Sequence, residues 1–195
     1  MKKILLSAFV LGSFVTFAQT NVSTTPENKN VVLEEFTGIS CPYCPDGHAI
    51  AQGIKDNNPG DVMLINIHTG GYATPQGPGT DFNTNFGAAL ATNASVSGYP
   101  TGSVNRDGPA MSRSSWASAT ATQLSQPSPV NVWSEAIIDM GTNTLTVNVE
   151  IYYTGSQTVT SNKINVAVLQ NNIEGPQSGG ASYNPSAVLA NGNYN

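Results

Sequence analysis

Three kinds of hydrophobic pattern follow one another along this chain. An apolar run from Ile4 to Val15 comes first, and residues 19 to 29 after it are polar and unpatterned, which reads as a short flexible leader. Val31 to Thr37 (VVLEEFT) is rich in β-formers. From Cys44 to about Asn57, Ile50, Ala51 and Ile54 recur at helical spacing until Asn57-Asn58-Pro59-Gly60 stops them. Val62 to Ile67 (VMLINI) is a short apolar run between turn signals, as in a buried strand. Strand, helix, strand implies a parallel pair joined by a crossover helix. A Gly- and Pro-rich loop from Thr69 to Thr80 follows, and Asp81 is placed to cap a second helix carrying Phe82, Phe86 and Leu90. Gly102 to Asn105 with the turn Arg106-Asp107-Gly108 begins a hairpin, and a third helix is predicted from about Ser114 to Leu124, capped by Ser112 or Ser114.

At QPSP, Gln126 to Pro129, the helical pattern ends, because proline at both ends breaks a helix and stiffens a connector. Beyond it the period is two. Val130 to Ile138, Leu145 to Tyr153 and Lys163 to Leu169 alternate apolar with polar residues, separated by Gly141-Thr142-Asn143 and Gly155-Ser156-Gln157, which predicts a three-stranded antiparallel meander. The last 25 residues offer no fourth strand to close it, so the strands either lean on the first domain or belong to a β region that is incomplete here. The expected organisation is therefore a signal peptide over 1–18, a leader over 19–29, an α/β domain over 30–126, a linker over 127–129 and a β-rich region over 130–195.

Lys2 and Lys3, the apolar run and Thr16-Phe17-Ala18 have the order of a secretory signal with its small-residue cleavage site. The run is too short to span a bilayer. Removing it leaves 177 of 195 residues and takes the formal charge from -5 to -7. An acidic product with scattered Lys and Arg is a poor nucleic-acid binder, since neutralising phosphates takes clustered basic residues. With 10% charged residues and no basic cluster, nothing points to an anionic membrane surface. The chain also lacks a tract of ten-residue amphipathic strands and is not itself a membrane barrel. Gly70-Gly71 to Gly79 has no following Lys-Ser or Lys-Thr, so it is no phosphate cradle, and no cofactor is expected.

Cys41 and Cys44 are the only cysteines and enclose just Pro42 and Tyr43. A stapling disulfide works largely by restricting the unfolded chain, more so for longer loops. A loop this small restricts almost nothing, so the pair reads as chemical. At a helix N-terminus unpaired N–H groups and the dipole favour thiolate, which makes Cys41 the attacking thiol and Cys44 the resolving one.

The order strand, CxxC, helix, strand, helix, X-Pro, hairpin, helix resembles the thioredoxin arrangement. Glu35-Phe36 stands six and five residues before Cys41, and Tyr99-Pro100-Thr101 occupies the cis-proline slot. LEEFTGISCPYCPDGH and GYPTGSVNRDG, in a chain that continues into β structure, are similar to the thioredoxin-like outer-membrane-protein family of Gram-negative bacteria over roughly residues 31 to 170. CPYC is also the usual glutaredoxin pair, but a glutaredoxin would lack the export signal and the β region. The resemblance implies a thioredoxin-like α/β domain followed by an antiparallel, sandwich-like β region, in the periplasm, at the outer membrane or on the cell surface. It implies that Glu35 accepts the proton of Cys44, burial having raised its pKa. It implies a cis Pro100 that sets the Tyr99 backbone beside the sulfurs to hold an extended peptide, with Tyr43 and Thr101 flanking it.

Plainer readings stand beside these. Glu34 and Glu35 point to opposite faces of one strand, and at least one should be solvated. His48, four residues after Cys44, and His68, ending the neighbouring strand, could complete a Cys2His2 metal set; the reading adopted leaves His48 facing solvent and His68 as a satisfied strand-end residue. Trp116 and Trp133 read as core or interdomain residues. The leading expectation is thiol–disulfide exchange with exported proteins or small thiols. The alternative is a non-catalytic binding module on the same scaffold, associated with the outer membrane through partners or further chain.

Overall fold

The computed structural model describes residues 20–75, 81–156 and 161–195; the expected signal peptide, the end of the Gly/Pro loop and Gln157 lie outside them. A four-stranded sheet has the order β2-β1-β3-β4, with β1 Val31–Thr37, β2 Val62–His68, β3 Thr101–Val104 and β4 Met111–Ser112. β1 runs parallel to β2, as the crossover helix α1 (Cys44–Asp56) demands, and antiparallel to β3. β3 and β4 form the hairpin around Arg106-Asp107-Gly108.

Alternation along the central strand sorts the two faces. Val31 and Leu33 pack with Ala51 and Ile54 of α1 and with Trp116 of α3 (Trp116–Leu124), while Phe36 packs on the other side with Ile67, Ala94 and Leu90, the last from α2 (Asn85–Asn93). Trp116 lies so close over Gly102 that a Cβ there would sit 2.8 Å from the indole, and its Nε1–H donates to the Met111 carbonyl at 3.1 Å. Glu35 therefore faces α1, and Glu34 faces the opposite side.

Several local expectations need correcting. Thr84, not Asp81, caps α2 by accepting from Gly87 N at 2.9 Å, because Asp81 already accepts from Asn83 N at 2.9 Å in a turn of its own. Phe82 thus lies outside the helix, and Phe86 is 83% exposed. The third helix opens with a 3-10 turn, Arg113–Ser115, so its α-helical part begins at Trp116 with Ser115 at the cap. The leader is packed: Val22 is buried, Asn21 donates to the Glu150 carboxylate, and Asn131 Nδ2 donates to the carbonyls of Ser23 and Thr25.

The second sheet is a two-stranded ribbon, β5 (Val130–Asp139) and β6 (Thr144–Tyr153), in the alternating register the sequence predicts. The third strand is absent among the described residues: 163–169 makes no ladder, and Ile164, Val166 and Val168 are exposed. Alternation selects which side chains could be buried, but a strand also needs a ladder of backbone hydrogen bonds, and 163–169 makes none. The last residues, where no further strand was expected, form a short helix α4 (Gly180–Tyr183) and a 3-10 turn (Pro185–Ala187) in a segment that bonds back to the α/β unit, Ser178 N donating to the Ile39 carbonyl. No helix of the described residues is long and apolar enough to cross a membrane.

Candidate functional site

β1 delivers the chain through Gly38 to Cys41 at the edge where α1 begins. Gly38 has no room for a side chain, since a Cβ would meet the Tyr72 backbone, and Ser40 N donates to the Tyr72 carbonyl at 2.9 Å. Cys41 sits in the turn, Tyr43 is the cap residue and Cys44 is the first helical residue, followed by Pro45, whose missing N–H costs a first turn nothing. The two sulfurs are joined as a disulfide with Cα atoms 5.5 Å apart. Neither is open to solvent: Cys41 is 2% exposed and Cys44 fully buried. Cys41, expected as the attacking thiol, is therefore buried while the disulfide is closed.

Beneath the first turn of α1 lies Glu35. Gly47 makes this possible, because a Cβ there would run into the Glu35 carboxylate and stand 3.0 Å from Pro100 Cβ. Glu35 is 1% exposed and neither oxygen has a hydrogen-bond partner among the protein groups. Burial raises its pKa well above the usual carboxylate range, against the opposing pull of the Arg113 charge. Glu34, which with Glu35 was expected to leave one carboxylate solvated, is buried too, held by a two-pronged ion pair with Arg106 whose Nε donates at 2.9 and 3.0 Å.

His48 is not solvent-facing. Its Nε2 lies 2.9 Å from Thr37 Oγ1 and 3.7 Å from Glu35 Oε1, and its Nδ1 lies 3.0 Å from the hydroxyl of Tyr194. Asn184 Nδ2 donates to that hydroxyl at 2.8 Å. Because Asn184 donates to it, the Tyr194 hydroxyl is left to donate its own proton to Nδ1, which puts the ring proton on Nε2, facing Thr37 Oγ1. Burial, with a smaller push from His68, lowers the His48 pKa to about 4. His68 is also lowered by burial; its ring rests on Phe82 at 5.2 Å, and its buried Nδ1 has no protein partner, so it is not the satisfied residue expected. Cys41, Cys44, His48 and His68 do not form the Cys2His2 arrangement: both sulfurs are spent on the disulfide, and among the described residues no group of three or more His, Cys, Asp or Glu is placed to hold a metal ion.

The Tyr99–Pro100 peptide bond is cis. Tyr99 packs edge-on against Tyr72 at 5.7 Å, and Thr101 uses its hydroxyl within the hairpin, donating to the Met111 carbonyl at 2.8 Å. Tyr43 is half exposed and lies 5.2 Å from the ring of Tyr183. Of the residues singled out in the sequence, the fold thus gathers Glu35, Cys41, Cys44, His48 and Pro100 around one helix N-terminus. Gln177, Gly179, Tyr183 and Tyr194 join them unannounced, since nothing periodic marks that stretch. A cavity of about 700 Å³ lies elsewhere, bordered by Asn28, Glu34, Arg106 and Asn131, and includes none of the sulfur chemistry.

No family model and no curated protein matches the chain. Among solved structures, HBP35 of Porphyromonas gingivalis is similar at 22% sequence identity and a TM-score of 0.43, over 56% of this chain and 38% of that one. The matched part is thus well under half of HBP35, and at that overlap the likeness assigns neither fold family nor activity.

Proposed function

We propose that this chain is an exported, thioredoxin-like thiol–disulfide exchange protein working through Cys41 and Cys44. The observation that carries the reading is the buried, unpaired carboxyl of Glu35 under the helix turn that holds the disulfide. A structural disulfide has no use for such an acid, whereas exchange does. In the reduced form the Cys41 thiolate attacks a partner disulfide, forming a mixed disulfide and releasing one partner thiolate. Cys44 then gives its proton to the Glu35 carboxylate and attacks the Cys41 sulfur, closing the ring disulfide and expelling the second partner sulfur as a thiolate that takes the proton back from Glu35. Run in reverse, the same steps oxidise a partner dithiol.

Export rests on the signal-like residues 1–18, and the partners on this reading are exported proteins or small thiols. The trapping experiment is direct: reduced Cys44→Ser protein, mixed with oxidised glutathione or an oxidised protein substrate, should accumulate a mixed disulfide on Cys41, and Cys41→Ser should not. Equal, negligible trapping by both variants sinks the reading and leaves the scaffold as a binding module.

A further inference from the structure

The C-terminal segment 175–195 lies along the loop that carries the disulfide, and its contacts there are specific. Ser178 N donates to the Ile39 carbonyl at 2.8 Å. The Gln177 side-chain amide donates to the carbonyls of Gly38 at 3.2 Å and Cys41 at 3.1 Å. Gly179 follows in the left-handed region, φ 76°, pressed so closely on Pro42 that a Cβ there would strike its carbonyl oxygen. The helix α4 then sets Tyr183 against Tyr43, and the segment ends with Tyr194 on His48. An antiparallel bridge between Gly175 and Tyr194 ties its two ends together, each N–H donating to the other carbonyl at 3.1 and 2.8 Å.

Three successive features of that loop have a common meaning. The Ile39 carbonyl takes its donor from Ser178, the Gly38 and Cys41 carbonyls, which already accept from Cys41 N and Cys44 N, accept a second bond from Gln177, and the half-exposed Tyr43 ring beside them offers a stacking face. The surface therefore fits a polypeptide segment that brings a main-chain N–H, an amide side chain and an aromatic ring, with a glycine where the backbones touch. Residues 177–183 (QSGGASY) match it donor for acceptor.

We infer that the segment 175–195 is an intramolecular cover occupying the face at which a polypeptide partner reaches Cys41, so that access to the disulfide requires its displacement. This rests on the exchange reading only for its purpose; the cover is a matter of accessibility and holds or fails without it. The segment is held mainly by a few hydrogen bonds, one close glycine contact and ring packing, each worth about 1 kcal/mol, which is what an element that must open reversibly needs.

The test compares the rate at which tris(2-carboxyethyl)phosphine reduces Cys41–Cys44 in the full wild-type chain, in Gly179→Ala and in Gln177→Ala, counting free thiols with time. A phosphine needs only to reach sulfur, so the readout is independent of any exchange activity. Gly179→Ala forces the segment off Pro42 and should raise the rate roughly tenfold or more, and Gln177→Ala, lacking two bonds, should raise it by a smaller factor of about five. Identical rates in all three chains overturn the cover. Should Gly179→Ala lose its cooperative thermal transition, Gln177→Ala decides alone: faster than wild type upholds the cover, equal to it refutes it. A pair whose reduction potential proves structural, in a chain whose variants are nonetheless reduced faster, would sink the exchange reading and leave the cover standing.

Discussion

Oε1 of Glu35 lies 3.7 Å from Nε2 of His48, and burial acts on the two in opposite directions, raising the acid and lowering the base. Burial thus disfavours the charged form of each, so the two do not hold one another as a strong ion pair. A Glu35 carboxylate raised in this way is a stronger base than an ordinary carboxylate, which suits a group that takes the Cys44 proton for one step and gives it up again.

Glu35→Gln keeps the shape and removes the acceptor. On the exchange reading it slows resolution of the mixed disulfide by roughly a hundredfold near pH 7, measured by stopped-flow release of the partner thiol. The stability effect has a definite sign. A raised folded pKa means that stability is full below the ordinary carboxyl value and falls as pH rises toward the raised one. The advantage of Glu35→Gln over wild type should therefore grow with pH in thermal unfolding series, and a difference constant in pH would contradict the buried acid.

His48 has the opposite slope. Because its folded pKa is lowered to about 4, the stability it contributes is present above its ordinary value and is lost as pH falls from there toward 4. At its steepest that loss approaches about 1.4 kcal/mol per pH unit. Glu35 from β1, His68 from β2 and Tyr194 from the C-terminal segment all face this ring and share in the titration. His48→Asn should flatten the acid limb of the stability curve between pH 6.5 and 4; an unchanged limb places the titration elsewhere.

Arg106→Ala strips the partner from Glu34, a carboxylate 3% exposed on the far face of the same strand. Arg106 is itself about half exposed, so solvent softens the loss, and a cost of about 2 kcal/mol is expected in urea unfolding. Adding Glu34→Gln should recover part of it, because the uncompensated charge goes with the carboxylate. A double variant no better than the single one would show that the pair is not what holds this edge.

The legible and illegible parts of this chain divide along physical lines. β1, α1 and β2 were readable to within a residue because their burial repeats with the element's own period, as at Ile50, Ala51 and Ile54, and because Asn57 to Gly60 stop the helix locally. The cysteine pair was readable from its spacing at the start of α1, and Glu35 only through the thioredoxin resemblance of its position, since alternation along β1 left either carboxylate free to be the solvated one. The cap of α2 was misread because Asp81 and Thr84 are both good caps, and only the turn at Asn83 decides between them. The strand at 163–169 failed because alternation says nothing about whether a neighbour is there to pair with. The covering segment was invisible for a related reason: Gln177, Ser178 and Gly179 act through carbonyls of a distant loop, and a Gly-, Ser- and Asn-rich stretch looks the same whether it is docked or free.

The reduction potential of Cys41–Cys44 in the full chain, measured by equilibration in thiol buffers with alkylation of free thiols, bears most directly on the exchange reading. The account predicts a value between roughly -120 and -270 mV, the span of exchange catalysts. A value below roughly -300 mV would mark a structural disulfide and contradict it.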